Sequence, residues 1–412
     1  MKLPQPTATT VTPFKPGFLP ALEGLRAVAA IGIIGTHAAF QTGHDTGALW
    51  ERALGRFDVF VAVFFTLSGF LLWRSHRTGF GQIPSPEAQA RRDSGIWASW
   101  AKYYKKRLAR IMPAYWVLVV IVLIALPVGA GSNLRTWITN LTLTQVYFAD
   151  SLHGGLTHLW SLSVEVAFYL FMPVLALALA RINPATGQGA RIAVICALAV
   201  LSWGWPYLPV DYPAGVNPHI QPAAYFSWFA AGLIFAELES LQGRADARAE
   251  RTRALLETWA RRRWIWLSLA TAALLAASVM GPEGLVELSN WEFTRRLWCG
   301  LIFGAAIIGP WTLAPESRFL THPLMQALGR WSYGIFLWHM AVLSLVFPLL
   351  GVPIFGGHLL LVTLATVVVT IPIAAASYAL VEEPARRWFG RVWVNRPTRP
   401  SPSPQSEPQV VA

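Results

Sequence analysis

Long apolar runs alternate with short polar segments along almost the whole chain. Ten of these runs are long enough to cross a bilayer as helices, since about 20 apolar residues span the hydrocarbon core. The pattern predicts an all-α fold, a polytopic integral membrane helical bundle of about ten transmembrane helices. The predicted spans cover residues 20–40, 57–73, 111–130, 159–180, 190–210, 221–237, 264–281, 297–314, 332–350 and 359–381.

The composition agrees with a multi-pass membrane protein and excludes other classes. Of 412 residues, 54% are hydrophobic and 13% are charged. The mean hydropathy of +0.45 is too high for one or two water-soluble domains. The two cysteines, Cys196 and Cys299, lie in apolar runs and form neither a disulfide framework nor a CxxC metal site. We therefore predict no bound metal and no bound cofactor.

The positive charges predict which loops face the cytoplasm. The net charge is +12, and it is concentrated in alternate loops, as the positive-inside rule requires. This asymmetry predicts that both termini are cytoplasmic and that the number of spans is even. It also accounts for the basic composition without nucleic-acid binding, for which no recognised fold is present. Of the 33 Lys and Arg residues, the opposite loops hold only Arg52, Arg56, Arg135, Arg295 and Arg296.

The first span carries two ionisable residues, Arg26 and His37. Insertion of an ionisable side chain into a membrane helix costs roughly 2.5–3.5 kcal/mol of free energy unless its surroundings compensate. Their separation of eleven residues closes about three helical turns and places them on one face, about 16 Å apart along the axis. We expect both to project into one channel. Alternatively, Arg26 extends to the lipid headgroups and His37 is a hydrogen-bonded residue of the bundle.

A carboxylate in the fourth span, Glu165, lies at a depth similar to that of His37. Along its helix His37 lies about 24 Å from the cytoplasmic end, and Glu165 lies about 10 Å from the outer end of its own helix. Both positions are in the outer half of the membrane. A histidine and a carboxylate at one depth suit a general base and the group that orients it. This pairing predicts His37 and Glu165 as catalytic residues.

Basic and aromatic residues alternate just before the third span. Arg107 and Arg110 lie three residues apart, share a helix face and suit the binding of phosphates. An interfacial amphipathic helix with a positive-inside cluster is the alternative interpretation.

Six motifs along the chain resemble the acyltransferase-3 family of integral membrane O-acyltransferases. The resemblance extends over essentially all of residues 18–390. Members of the family are similar ten-span proteins that transfer an acyl group from cytoplasmic acyl-CoA to a hydroxyl, often on a sugar exposed outside. The motifs are LEGLRAVAAIGIIGTH, FFTLSGFLL, RLARIMPAYW, HLWSLSVEVAFYL, WSYGIFLWH and VEEPARRW.

The resemblance implies a role for each matching residue. His37 matches the catalytic histidine, with Arg26 as its partner in the motif. Arg107 and Arg110 match a basic pair thought to face the CoA phosphates, and Arg26 is a further candidate for acyl-CoA binding. Glu165 matches the acidic residue of the fourth-span motif. The residues assigned to the substrate channel are Ser68, Trp160, Tyr169, Tyr333 and His339.

Three of the channel residues also have structural interpretations. Ser68 precedes a glycine and suits close helix approach, and Trp160 suits an anchor at the membrane interface. His339 has no charged partner in its own span and is more typical of a polar packing residue than of a catalytic one.

The sequence predicts one membrane domain at residues 18–390. It is preceded by a cytoplasmic tail at 1–17 and followed by a disordered Pro- and Ser-rich tail at 391–412. Residues 1–18 lack the apolar core of a cleavable signal peptide. We also expect none of the extracellular hydrolase-like domain that some family members append.

The predicted function is acyl transfer at the plasma membrane, with acyl-CoA as co-substrate and lipid as the surroundings. The predicted acceptor is a hydroxyl of a cell-envelope glycan or of a glycosylated small molecule such as a macrolide. The alternative is an exporter of a polar or glycosylated compound, in which the buried ionisable residues bind substrate or relay protons.

Overall fold

The computed structural model describes residues 17–77, 86–182, 187–243, 247–281 and 287–394, and these residues contain helices and no strand. The predicted all-α membrane fold is confirmed. Most of both predicted tails lies outside the described residues. The fourteen α-helices of the described residues are α1 (Pro20–Thr42), α2 (Leu49–Gly55), α3 (Phe60–Arg77), α4 (Pro86–Ala125), α5 (Leu134–Leu141), α6 (Trp160–Ala180), α7 (Gln188–Ser202), α8 (Phe226–Glu239), α9 (Ala247–Arg261), α10 (Arg263–Val279), α11 (Asn290–Leu313), α12 (Pro323–Leu350), α13 (Leu359–Ser377) and α14 (Glu383–Phe389).

Each predicted span coincides with a helix, although not every helix is a long apolar one. Seven helical stretches of the described chain are long and apolar enough to cross a membrane. The other three predicted spans correspond to α1, α8 and α10. Of these, α10 is apolar but only 17 residues long. The number of spans and the side of the termini stay predictions. The seven stretches are Leu49–Ser75, Trp100–Ala125, Thr157–Ala180, Gln188–Tyr207, Asn290–Leu313, Pro323–Leu350 and Leu359–Val392.

Small residues let the central helices approach closely. In α3, Gly69 lies against the backbone carbonyl of Phe229, and Gly232 of α8 lies against the carbonyl of Thr66. A β-carbon at either glycine would overlap that carbonyl, so only glycine permits this contact. The Thr66 hydroxyl reinforces it by donating to the Trp228 carbonyl at 3.0 Å.

The same principle joins α1 to α12. Gly24 of α1 packs against the Leu320 carbonyl just before α12, and Gly329 of α12 packs against the Glu23 carbonyl. This contact fixes the face that α1 turns toward α12, and that face includes both Arg26 and His37.

Two longer helical regions bring charged residues together at one end of the bundle. Helix α4 is continuous for 40 residues, so the segment before the predicted third span is helical and joins that span directly. Helix α13 continues through a π-helical turn, Tyr378–Glu382, into α14. Arg107 and Arg110 therefore lie opposite the end of the α13–α14 region.

A buried ion pair connects α3, α7 and α8. Arg191 of α7 donates to Glu237 of α8 at 2.9 Å, and the Trp73 indole of α3 donates to the same carboxylate at 2.7 Å. Glu237 is fully buried. Because both ions have partners, we interpret this group as structural.

Candidate functional site

A cavity of about 580 Å³ lies between α1, α4, α12 and the α13–α14 region. We call it the vestibule. It lies at the end of the bundle that the charge pattern predicts to be cytoplasmic. Six cations against two carboxylates give it a strong positive charge, which suits a ligand with several negative charges. Its charged residues are Arg26, Lys106, Arg107, Arg110, Arg330, Arg386, Glu23 and Glu382.

Arg107 is held in place by aromatic rings. Its guanidinium lies 5.7 Å from the Tyr103 ring centre and 5.6 Å from that of Tyr169, at distances where cation–π attraction acts. Its Nε is buried and has no hydrogen-bond partner among the described residues. Arg110 lies one helical turn further on and is exposed to the vestibule. The pair therefore presents guanidinium groups to a ligand rather than to protein carboxylates.

Arg26 lies where the vestibule narrows. Its Nε donates to the Ser332 hydroxyl of α12 at 3.2 Å, which leaves the terminal nitrogens directed to the cavity. Arg26 also lines a second, smaller cavity of about 80 Å³, which we call the passage. Arg107, Arg110 and Tyr333 line both cavities as well, so the vestibule and the passage adjoin each other.

The passage contains a carboxylate bonded to two hydroxyl groups. Oε1 of Glu165 accepts hydrogen bonds from Ser68 of α3 and from Tyr169, one turn further along α6. Tyr333 donates to the Ile111 carbonyl at 2.8 Å. These residues thus form a polar lining between apolar helices, as the passage of a flexible polar chain requires.

Three histidines form a cluster beyond the passage: His37 of α1, His339 of α12, and His158 in the turn before α6. The His37 ring centre lies 5.2 Å from that of His339 and 6.4 Å from that of His158, and the last two are 4.7 Å apart. His158 and His339 are almost fully buried. We call these three residues the histidine cluster.

Phe336 separates the passage from the histidine cluster. It lines the passage, and its ring centre lies 5.2 Å from that of His158 and 6.0 Å from that of His339. Arg26 lines the passage and His37 does not. The Phe336 ring thus lies between the passage and the histidine cluster, and the expectation that Arg26 and His37 open into one channel stays a prediction.

Comparison with known proteins identifies the family. The acyltransferase-3 family, described as "Acyltransferase domain", matches residues 19–379. The chain belongs to this family. No solved structure matches it.

The chain is also similar to individual acyltransferase-3 relatives. Acyltransferase MdmB of Streptomyces mycarofaciens is 27% identical over 94% of this chain and 96% of its own length. Peptidoglycan O-acetyltransferase OatA of Listeria monocytogenes is 24% identical over 90% of this chain and 56% of its own length. Nodulation protein 10 of Rhizobium leguminosarum is 26% identical over 88% of this chain and 92% of its own length. The chain thus spans only about half of OatA.

The predicted contact between His37 and Glu165 is not present. No hydrogen bond joins them in the described part of the chain: Glu165 is bonded to Ser68 and Tyr169, whereas His37 contacts two other histidines. Glu165 lines the passage beside Arg26, whereas His37 contacts His158, which lies seven residues or about 10 Å before Glu165 along the chain. The expected similar depth of His37 and Glu165 is therefore not found. The catalytic roles of both residues in this acyltransferase-3 protein stay predictions.

The other predicted residues divide into two groups. Ser68, Tyr169 and Tyr333 line the passage. Trp160 does not line either cavity and instead packs against Tyr225, with ring centres 5.1 Å apart. His339 also lies outside both cavities, in the histidine cluster.

Two residues of interest were not among the predicted site residues. His158 is the first residue of the fourth-span motif. Its position at the predicted outer end of that span could have indicated that it lies near His37. Glu382 lines the vestibule at the end of the π-helical turn, a distortion often found at functional sites. Among the described residues no group of three or more His, Cys, Asp or Glu side chains has an arrangement that could hold a metal ion.

Proposed function

We propose that the protein is a plasma-membrane O-acyltransferase that transfers an acetyl or other short acyl group from acyl-CoA to a hydroxyl group. Its family and its similarity to the peptidoglycan O-acetyltransferase OatA support O-acyl transfer. The excess of cations in the vestibule is the observation that supports acyl-CoA as donor, because the nucleotide end of CoA carries several phosphate charges.

In this proposal the vestibule binds the nucleotide end of the donor. Arg107 and Arg110 bind phosphate oxygens through paired N–H groups, an arrangement that arginine provides better than lysine. Arg26 attracts the same end from the far wall. The pantetheine arm then extends through the passage, past Ser68 and Tyr169, toward the histidine cluster. Along α1 it has to cover about 16 Å between Arg26 and His37.

His37 carries out the chemical step. Its unprotonated ring nitrogen removes the proton of the acceptor hydroxyl while the oxygen attacks the thioester carbonyl. The C–S bond breaks, an ester forms, and the CoA thiolate takes a proton to leave as the thiol. In a second route His37 accepts the acyl group first and transfers it afterwards. Both routes require the thioester to pass Phe336.

The acceptor in this proposal is a hydroxyl of a cell-envelope glycan or of a glycosylated small molecule such as a macrolide. The histidine cluster lies near the predicted outer ends of α1 and α6, which supports an acceptor that approaches from outside. Peptidoglycan, named for OatA, is an envelope glycan of this class.

The test offers radiolabelled acetyl-, propionyl- and longer acyl-CoA to the detergent-purified protein and to His37→Ala. We expect binding of acyl-CoA by both proteins, and slow thioester hydrolysis or self-labelling only by the wild type. Removal of the general base should lower the rate of thioester turnover by about 10²–10⁴-fold. Label trapped on the protein would favour the acyl-histidine route over direct transfer.

Two results would contradict the proposal. Thioester turnover by His37→Ala at the wild-type rate would exclude His37 as the catalytic residue. Absence of acyl-CoA binding by folded wild-type protein would exclude the donor and favour the exporter.

A further inference from the structure

The histidine cluster contains two buried nitrogen atoms without a hydrogen-bond partner among the described residues. They are Nδ1 of His158 and Nε2 of His339. A buried polar atom normally has a partner, because desolvation without one costs free energy. These atoms therefore indicate an interaction that the resting structure has not formed.

The backbone determines which nitrogen of each ring carries the proton. Nε2 of His158 lies 3.2 Å from the Leu337 carbonyl, and Nδ1 of His339 lies 2.6 Å from the Phe336 carbonyl. A carbonyl only accepts hydrogen bonds, so each of these nitrogens is the protonated one. In the neutral rings, the two unpartnered nitrogens are consequently acceptors.

These acceptors lack a hydrogen-bond donor, and the His37 ring contacts both of their rings. A neutral imidazole has one N–H group, and no hydrogen bond is formed by the His37 ring among the described residues. His339 is the better placed acceptor, since its ring centre is 5.2 Å from that of His37, compared with 6.4 Å for His158. A near-linear N–H···N bond between two imidazoles places their centres about 5 Å apart. The observed separation of the His37 and His339 rings is therefore that of a hydrogen-bonded imidazole pair.

We propose that His339 is the positioning residue of His37. Nε2 of His339 accepts a hydrogen bond from the N–H of His37, and this bond fixes the tautomer in which the other nitrogen of His37 is free to act on substrate. His339 thus takes the orienting role that the sequence assigned to Glu165. The inference rests on the proposed function, since it requires His37 to be the catalytic residue.

Two substitutions separate this role from a structural one. In His339→Gln the side-chain amide reaches the former position of Nε2, whereas in His339→Asn it reaches only that of Nδ1. If His339 acts through Nε2, Gln retains activity and Asn does not. If His339 serves only to bond the Phe336 carbonyl, Asn is the better replacement.

The experiment measures kcat and KM for acyl-CoA in wild type, both His339 variants, His158→Gln and His37→Ala. Loss of the partner that orients a functional histidine typically lowers activity by about 10–100-fold. We expect a fall in kcat of about 100-fold in His339→Asn and of less than about 10-fold in His339→Gln. KM for acyl-CoA should change little, because the vestibule is remote from His339.

Equal activity of the Gln and Asn variants, or higher activity of Asn, would overturn the inference. So would a loss in His158→Gln larger than in His339→Asn. Wild-type turnover by His37→Ala is a different outcome, since it would refute the proposed function itself. An inactive His37→Ala beside indistinguishable His339 variants would refute only the role of His339.

A measurement on unaltered His339 covers the case in which its variants do not fold. Nitrogen-15 NMR of histidine-labelled protein in lipid bilayers reports the hydrogen bonding of each ring nitrogen. We expect the Nε2 signal of His339 to change when His37 is replaced by alanine. An unchanged signal would overturn the inference.

Discussion

The vestibule and the histidine cluster lie on either side of the passage and Phe336, and they differ in almost every physical property. The vestibule is wide and rich in exposed charge, with Arg110 and Arg386 open to solvent. In the histidine cluster His339 is fully buried and His37 is half-buried, and two ring nitrogens have no hydrogen-bond partner among the described residues. The first suits recognition of a charged ligand, and the second suits a reaction that must exclude water.

This difference separates binding from chemistry in a way that kinetics can measure. A change in the vestibule should alter KM for the donor with little effect on kcat. A change in the histidine cluster should alter kcat with little effect on KM.

The largest expected effect is that of removing both guanidinium groups of the basic pair. In Arg107→Gln with Arg110→Gln, two charge-assisted contacts to phosphate are lost, each worth about 1.5–3 kcal/mol. We expect KM for acyl-CoA to rise about 100-fold or more, while kcat at saturating donor stays within a few-fold. Steady-state kinetics and direct CoA binding measure the two quantities.

Arg181→Gln is the matched control, since Arg181 is exposed and lies outside both cavities. It should leave KM unchanged. A large loss of kcat with an unchanged KM in the double variant would contradict a role in donor binding alone, because it would place the basic pair in the chemical step.

Glu165→Gln should have an intermediate effect. The amide still accepts from Ser68 or Tyr169, but the passage loses its negative charge. We expect kcat/KM to fall by roughly 10-fold, the cost of one weakened charge-assisted bond. A loss as large as that of His37→Ala would instead support Glu165 as the group that orients His37.

A change in ionic strength should have the smallest effect on the kinetics. This effect should be limited to binding of the donor. The Debye length falls from roughly 14 Å to roughly 4 Å between about 0.05 M and about 0.5 M salt. We therefore expect KM for acyl-CoA to rise several-fold, with kcat unchanged. A salt-independent KM would contradict long-range attraction by the vestibule.

The sequence predicted the helices and the vestibule better than the histidine cluster. Hydrophobic runs locate helices, and the positive-inside rule groups Arg107 and Arg110 with the cytoplasmic ends of other spans. The separation of Arg26 and His37 along α1 also follows from helix rise, and the two residues do have different surroundings. These properties are determined locally.

The contacts of His37 could not be predicted in the same way. Whether His37 contacts Glu165 or His339 depends on how α1, α6 and α12 are rotated about their axes. That rotation results from helix packing, including the contact of Gly24 and Gly329 with facing carbonyls, and it leaves no periodic signal within any one helix. The sequence therefore predicted neither the level of Glu165 relative to His37 nor the neighbours of its side chain.

If the donor is acyl-CoA, as proposed, the cations of the vestibule also affect what happens after transfer. Free CoA keeps every phosphate of the acylated donor, so the same charges hold the spent carrier almost as firmly as the fresh one. Departure of CoA then becomes a slow step, and free CoA competes with acyl-CoA for the vestibule. An acyltransferase built in this way responds to the acylated fraction of the cellular CoA pool rather than to the amount of acyl-CoA alone.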